Sequence, residues 1–138
     1  MDDEIFRITK DNERAKDLFV RAKDRFNIMR VLPRDKPYKF IEEYYEVIKE
    51  LLTALMYIEG YKTLSHKKLI EYFSENYRDL DIQQIKIIDT LRKFRNESMY
   101  YGKIISEIFL TNNEDEIKHI IQILIVLTEK KLREGKKK

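Results

Sequence analysis

The chain has 138 residues, a length that fits one domain and is enough to close a single hydrophobic core. Apolar residues make up 43% and charged residues 38%, the latter well above the usual ~25%. With only three glycines and two prolines, these proportions favour long charged helices over a β-rich design. The net charge of +3, with both signs interspersed, excludes the strongly basic profile of a general nucleic-acid binder.

The absence of cysteine removes disulfides, thiol nucleophiles and thiolate metal sites. The start, Met1-Asp2-Asp3-Glu4, is acidic and lacks the basic and apolar runs of a signal peptide. The longest apolar stretch, Ile123 to Leu127, is far too short for a membrane span, so a cytoplasmic protein is expected. The Ile, Lys, Glu and Tyr bias also suits a heat-adapted protein with surface ion-pair networks.

The first amphipathic segment runs from about Asp11 to Met29, with Ala15, Phe19, Ala22, Phe26 and Met29 on one face. Val31 to Lys36 reads as a loop around Pro33. A second helix opens at Pro37, which is tolerated in a first turn because its missing N–H would be unpaired there. Its seam is Ile41, Tyr44/Tyr45, Ile48, Leu51/Leu52, Leu55 and Ile58, and Gly60 ends it. Ser65 caps a short third helix, His66 to about Tyr77, with Leu69, Ile70, Tyr72 and Phe73 facing inward.

Asp81 and Gln84 form a capping box that opens the fourth helix. Nothing interrupts its pattern before Gly102, so it is expected to reach Phe109 or beyond, roughly 40 Å. Thr111 and Glu114 repeat the capping-box signature and predict a fifth helix burying Ile117, Ile120, Ile121, Leu124 and Leu127. The sequence shows no strand-period alternation, repeat or low-complexity linker. The expected architecture is all-α: one domain, 1–138, built as an antiparallel four-helix bundle with one additional short helix. The basic end, about 130–138, reads as a frayed, solubilising helix terminus in preference to a phosphate-binding tail.

Steps of three and four along the fourth helix give Ile88, Leu91, Arg95, Ser98, Gly102, Ile105 and Phe109. Both ends of this row are apolar, but its centre is not. A buried guanidinium cannot shed its proton, so Arg95 must find an acid, face a cleft or lie at an interface. Candidate acids are Glu42, Glu43, Glu46 and Glu50. A glycine inside a helix costs ~1 kcal/mol relative to alanine, so Gly102 implies close approach of another backbone or a ligand. Arg92, Asn96, Tyr100, Tyr101 and Lys103 surround the break. Arg95, Asn96, Tyr100, Tyr101, Arg92 and Lys103 are therefore the candidate phosphate or ligand contacts, and Arg95, Ser98 and Gly102 the candidate interface.

The stretch Leu91-Arg92-Lys93-Phe94-Arg95-Asn96-Glu97-Ser98-Met99-Tyr100-Tyr101-Gly102 resembles the signature helix of the HEPN superfamily, small and often dimeric helical bundles. The Gly60 to Leu69 junction looks like the corresponding HEPN region. The resemblance covers about Pro37 to Leu127. It implies metal-independent RNA cleavage by an Arg and a His across a dimer cleft, and a minimal nucleotidyltransferase as antitoxin partner. Arg95 and Asn96 match the family's Arg-Asn pair. Tyr100 or Tyr101 stands where the His belongs, and no histidine follows until His119. Tyrosine, with a pKa near ~10, is a poor base. Arg95 and Tyr100 are accordingly the candidates for any catalytic role, but binding survives this substitution better than catalysis does.

His66 and His119 lack metal-ligand spacing, and His66 reads as an exposed first-turn residue, so neither metal nor cofactor is expected. Glu42-Glu43 reads as a solvated face and Asp79/Asp81 as a helix cap. The expectation is a HEPN-like homodimer that binds RNA or a nucleotide phosphate. The alternatives are a divergent toxin-like ribonuclease and a purely structural helical dimerisation protein.

Overall fold

A computed structural model describes residues 4–96 and 102–136, except the side chains of Asn96, Lys103 and Lys136. The order is β1 (Ile5–Arg7), α1 (Asn12–Ile28), a 3-10 turn (Met29–Val31), α2 (Pro37–Glu59), β2 (Tyr61–Thr63), α3 (His66–Asn76), α4 (Ile82–Asn96) and α5 (Gly102–Lys136). The described residues are thus mostly helical. None of their helices is long and apolar enough to cross a membrane.

Local chemistry sets most of the helix ends. The Asp11 carboxylate accepts from Arg14 N–H at 3.0 Å and caps α1. Pro37 takes the first position of α2, and Gly60 closes that helix in the left-handed conformation at φ 90°. A Cβ on Gly60 would also lie 3.1 Å from the Ile8 carbonyl oxygen, so both conformation and space require glycine. Ser65 Oγ accepts from Lys68 N–H at 3.1 Å to start α3. Asp81 and Gln84 exchange reciprocal bonds of 2.8 and 2.9 Å before α4.

Packing is organised by α2, which is apolar on nearly every side and lies between α1, α4 and α5. α1 runs against it: Asp11 N–H meets the Tyr57 carbonyl at one end, and Arg25 reaches Glu43 at the other. α5 runs in the same direction as α2, with Glu114 beside Tyr44 and Leu132 packed on Ala54 and Ile58. α4 runs against α5, joined by Gln84 to Glu116 at 2.8 Å and by the tilted rings of Phe94 and Phe109, whose centres are 4.8 Å apart. Ile48, Leu51, Leu55, Ile88, Leu91, Ile117, Ile120, Ile121 and Leu124 are buried between them. Each such aliphatic side chain contributes about 1.5–3 kcal/mol of transfer free energy.

One charged group enters this core. Glu50 is 5% exposed and accepts from Arg25 Nε at 3.2 Å, with Arg21 3.8 Å away. Burial disfavours the Arg25 charge, yet the Glu43 and Glu50 hydrogen bonds outweigh it and hold its pKa above the ordinary arginine value. Glu43 therefore ties α1 to α2 and is not part of a solvated face.

Three expectations are corrected. The expected fourth helix does not continue as one helix through Gly102 to Phe109: the described helices are α4 over Ile82–Asn96 and α5 over Gly102–Lys136. Gly102 has φ 82°, a left-handed value that the interior of a right-handed helix excludes. No helix begins at Thr111, which lies inside α5. Glu114 turns away from its own backbone to Arg34 and Tyr44, so the capping-box match is a coincidence of spacing. Finally, β1 and β2 form a short antiparallel ladder, pairing Ile5 with Thr63, Phe6 with Lys62 and Arg7 with Tyr61. Three residues per strand are too few to show a period.

Candidate functional site

The site begins on the last two turns of α4. Arg95 sits one turn beyond the buried Leu91, where α4 leaves the core, and its side chain is 44% exposed. Its guanidinium is therefore at a surface and not buried in a seam. Arg95 Nε lies 3.7 Å from Glu46 Oε2, an electrostatic pairing beyond hydrogen-bond reach. Of the four glutamates that could meet it, Glu46 does so, while Glu43 and Glu50 are taken by Arg25. Glu46 Oε1 pairs with Lys49 Nζ at 3.0 Å, and Oε2 is buried with no hydrogen bond among the described residues.

Arg92 lies one turn back from Arg95 and binds Asp89 Oδ1 through Nε at 2.8 Å, with Lys93 Nζ 3.6 Å from the other oxygen. Lys49, Arg92, Lys93 and Arg95 thus face Glu46 and Asp89, so the cluster carries net positive charge even with His66 neutral. Lys93 and Arg95 occupy the last turn of α4, where the helix dipole favours cations.

α3 adds the residue that local sequence reading missed. His66 is half-buried, not exposed, and its ring lies 5.7 Å from Tyr45. Burial pushes its pKa below the ordinary value of 6.5. Lys49, Arg95 and Arg92 push it the same way, against Glu46. The imidazole is therefore neutral near pH 7 and within electrostatic range of Arg95. Its sequence position gave one pointer, since it falls in the Gly60 to Leu69 junction, but its neighbours come from α2 and α4. Tyr45 completes the floor. Its hydroxyl is buried without a hydrogen-bond partner among the described residues, and burial raises its pKa.

The remaining sequence candidates divide cleanly. Arg92 joins the cluster. Asn96 is the last residue of α4, and Lys103 the second of α5. Gly102 opens α5 with a left-handed φ, so close approach of a ligand is not needed to account for it. Ser98, Tyr100 and Tyr101 lie outside the described residues. His119 is exposed on α5, 4.0 Å from Glu116. Among the described residues no three His, Cys, Asp or Glu side chains are grouped to hold a metal ion.

Chemically, the cluster offers a half-exposed guanidinium fork, three further cations and a neutral imidazole over a buried phenol. That combination can hold a phosphate and exchange a proton near neutrality. Compared with protein-family models, curated proteins and solved structures, the chain matches none.

Proposed function

We propose that this chain is a HEPN-like dimeric module that binds RNA or a nucleotide phosphate at the Arg95 cluster. The observation that carries the reading is the state of Arg95. It is exposed, net positive charge surrounds it, and its acid partner is too distant for a hydrogen bond. A phosphate could therefore take its donors bidentately without first breaking a strong pair. The helix order and packing directions are compatible with the four long helices forming an antiparallel bundle, with α3 as the insert.

The same end of the molecule supports a dimer. Ile104, Ile105 and Ile108, on the first two turns of α5, are 74%, 51% and 56% exposed. The Phe94–Phe109 contact joins this end of α5 to the end of α4 that carries Arg95. A minimal nucleotidyltransferase partner follows from the resemblance alone.

A labelled single-stranded RNA, titrated by fluorescence anisotropy at several salt concentrations, tests the binding. Arg95→Ala should weaken binding about tenfold and reduce the salt slope by about one phosphate contact. Unchanged affinity and slope would remove the proposal. Light scattering tests the dimer, which Ile105→Asp should shift to monomer.

His66 favours a second reading, a metal-independent ribonuclease. Its neutral imidazole could take the 2′-hydroxyl proton as O2′ attacks phosphorus and the P–O5′ bond breaks, with a second group protonating the leaving oxygen. RNA cleavage should then be lost in His66→Ala. Cleavage that persists in that variant, or none in the parent, would sink this reading.

A further inference from the structure

On a different face of α2, Tyr44 helps to floor a cavity of about 480 Å³ between the end of α1, the start of α2 and the middle of α5. The volume is within the ~300–1,000 Å³ range of small-molecule sites. Its floor is apolar and largely aromatic: Met29, Phe40 and Tyr44 are buried, and Phe26 is half-buried. Its exposed rim carries Arg30, Arg34 and Lys118, with the amides of Asn27 and Gln122. In a chain whose charges alternate in sign almost everywhere, this lining contains no carboxylate.

One wall is fixed. Arg34 donates to both oxygens of Glu114, at 2.7 and 3.0 Å, while its guanidinium lies 4.2 Å from the centre of the Phe40 ring. Tyr44 Oη donates to the same carboxylate at 2.5 Å. Glu114 thus neutralises Arg34 and locks its plane against Phe40. Arg30 and Lys118 remain, and neither has an ion-pair partner among the described residues. The cavity therefore combines an aromatic wall, an apolar floor and two cations at its mouth that no salt bridge among the described residues holds, Lys118 feeling Glu114 only at longer range.

We propose that this cavity binds a small organic anion: a flat ring lying on Phe26 and on the outer face of the Arg34 plane that Phe40 backs, bearing a carboxylate or phosphate that Arg30 and Lys118 hold. This site is separate from the Arg95 cluster, and nothing in its argument depends on RNA binding. The probe is 2-naphthoate, titrated into the full chain by isothermal calorimetry. Neutral 2-naphthylmethanol serves as the ring control, and acetate as the charge control.

Saturable 1:1 binding of naphthoate is expected, with both controls about tenfold weaker or undetectable. Lys118→Gln and Arg30→Gln alter exposed side chains and should keep the helical circular dichroism. Each should weaken naphthoate binding several-fold, and the pair about tenfold. Phe26→Ala should weaken it through the ring, whereas Arg95→Ala should leave it unchanged. Three results would each overturn the proposal: no saturable binding, equal binding of the neutral analogue, or parental affinity in the folded double variant.

Discussion

Glu114 offers the most direct test of how this fold is held, because its two partners differ in burial. Arg34 is 62% exposed on its side chain, so its bidentate pair with Glu114 is worth only ~0.5–1 kcal/mol. Tyr44 is 2% exposed, and Glu114 accepts its hydroxyl proton. Glu114→Ala would strand that buried donor at a cost of about 1–3 kcal/mol. The expected loss for Glu114→Ala is therefore about 2–3 kcal/mol. Glu114→Gln keeps an acceptor for Tyr44 and gives up mainly charge, for a loss of about 1 kcal/mol. Denaturant unfolding followed by far-ultraviolet circular dichroism would measure both, and Tyr44→Phe closes a double-mutant cycle. Within that cycle Glu114→Ala should cost about 1.5–2 kcal/mol less in the Tyr44→Phe background, where only the Arg34 pair is lost. The pH dependence has a definite sign. The Arg34 hydrogen bonds, with Tyr44 behind them, hold the Glu114 pKa below its ordinary 4.5. Its contribution is thus fully present above pH 4.5 and lost as pH falls through the folded-state value. Equal small losses for both substitutions, together with an additive cycle, would show that Glu114 does not bridge these elements.

Two further expectations concern the candidate site and its approach. His66 should titrate below 6.5 by NMR, and Lys49→Met should raise its pKa by removing a repelling cation. Since the unfolded chain takes up that proton first, stability should decline as pH falls from 6.5 toward the folded-state value; a His66 titration at or above 6.5 would contradict the burial described for it. Gly102→Ala separates the two descriptions of that glycine by sign. At φ 82° alanine should destabilise by about 1–2 kcal/mol, whereas in a helix interior it would stabilise by about 1 kcal/mol, and thermal unfolding distinguishes these outcomes.

The parts of the fold readable from sequence are those whose cause lies within a few residues. Asp81 with Gln84, Ser65, Pro37 and Gly60 each act on their own helix end, so spacing alone identifies them. The α2 seam is readable for a related reason, since a buried helix repeats its apolar residues at its own period. The misreadings have distant causes. Thr111-x-x-Glu114 has the spacing of a cap, but the carboxylate's partners are 70 and 80 residues away. β1 and β2 pair across more than fifty residues with only three on each strand. The polar gap after Leu91 reads from sequence as a site within one long helix, yet the left-handed Gly102 interrupts that helix and accounts for part of the signal. Arg95 stands out in sequence as a break in an apolar row, whereas its 44% exposure follows from where α4 leaves the core. His66 has no such local mark, because its burial and lowered pKa come from Tyr45 and Lys49 on α2 and the arginines of α4.

Adjacent tyrosines explain how one helix serves two basic faces. Successive residues on an α-helix are turned by about 100°, so Tyr44 and Tyr45 cannot share a neighbour set. Tyr44 goes to Glu114 and the aromatic cavity, and Tyr45 to His66 and the Arg95 cluster. Each face sets an arginine against a glutamate, but the two pairs have opposite mechanical characters. Arg34 is held by two short hydrogen bonds and lies on a ring, so it behaves as a wall. Arg95 is held only by charge at 3.7 Å, so salt screens its pairing and a phosphate can displace it. The anion binding proposed for the Arg95 face should therefore be steeply salt-dependent. The binding proposed for the cavity should depend less on salt and more on the shape of the ring, because its Arg34 wall is set before a ligand arrives.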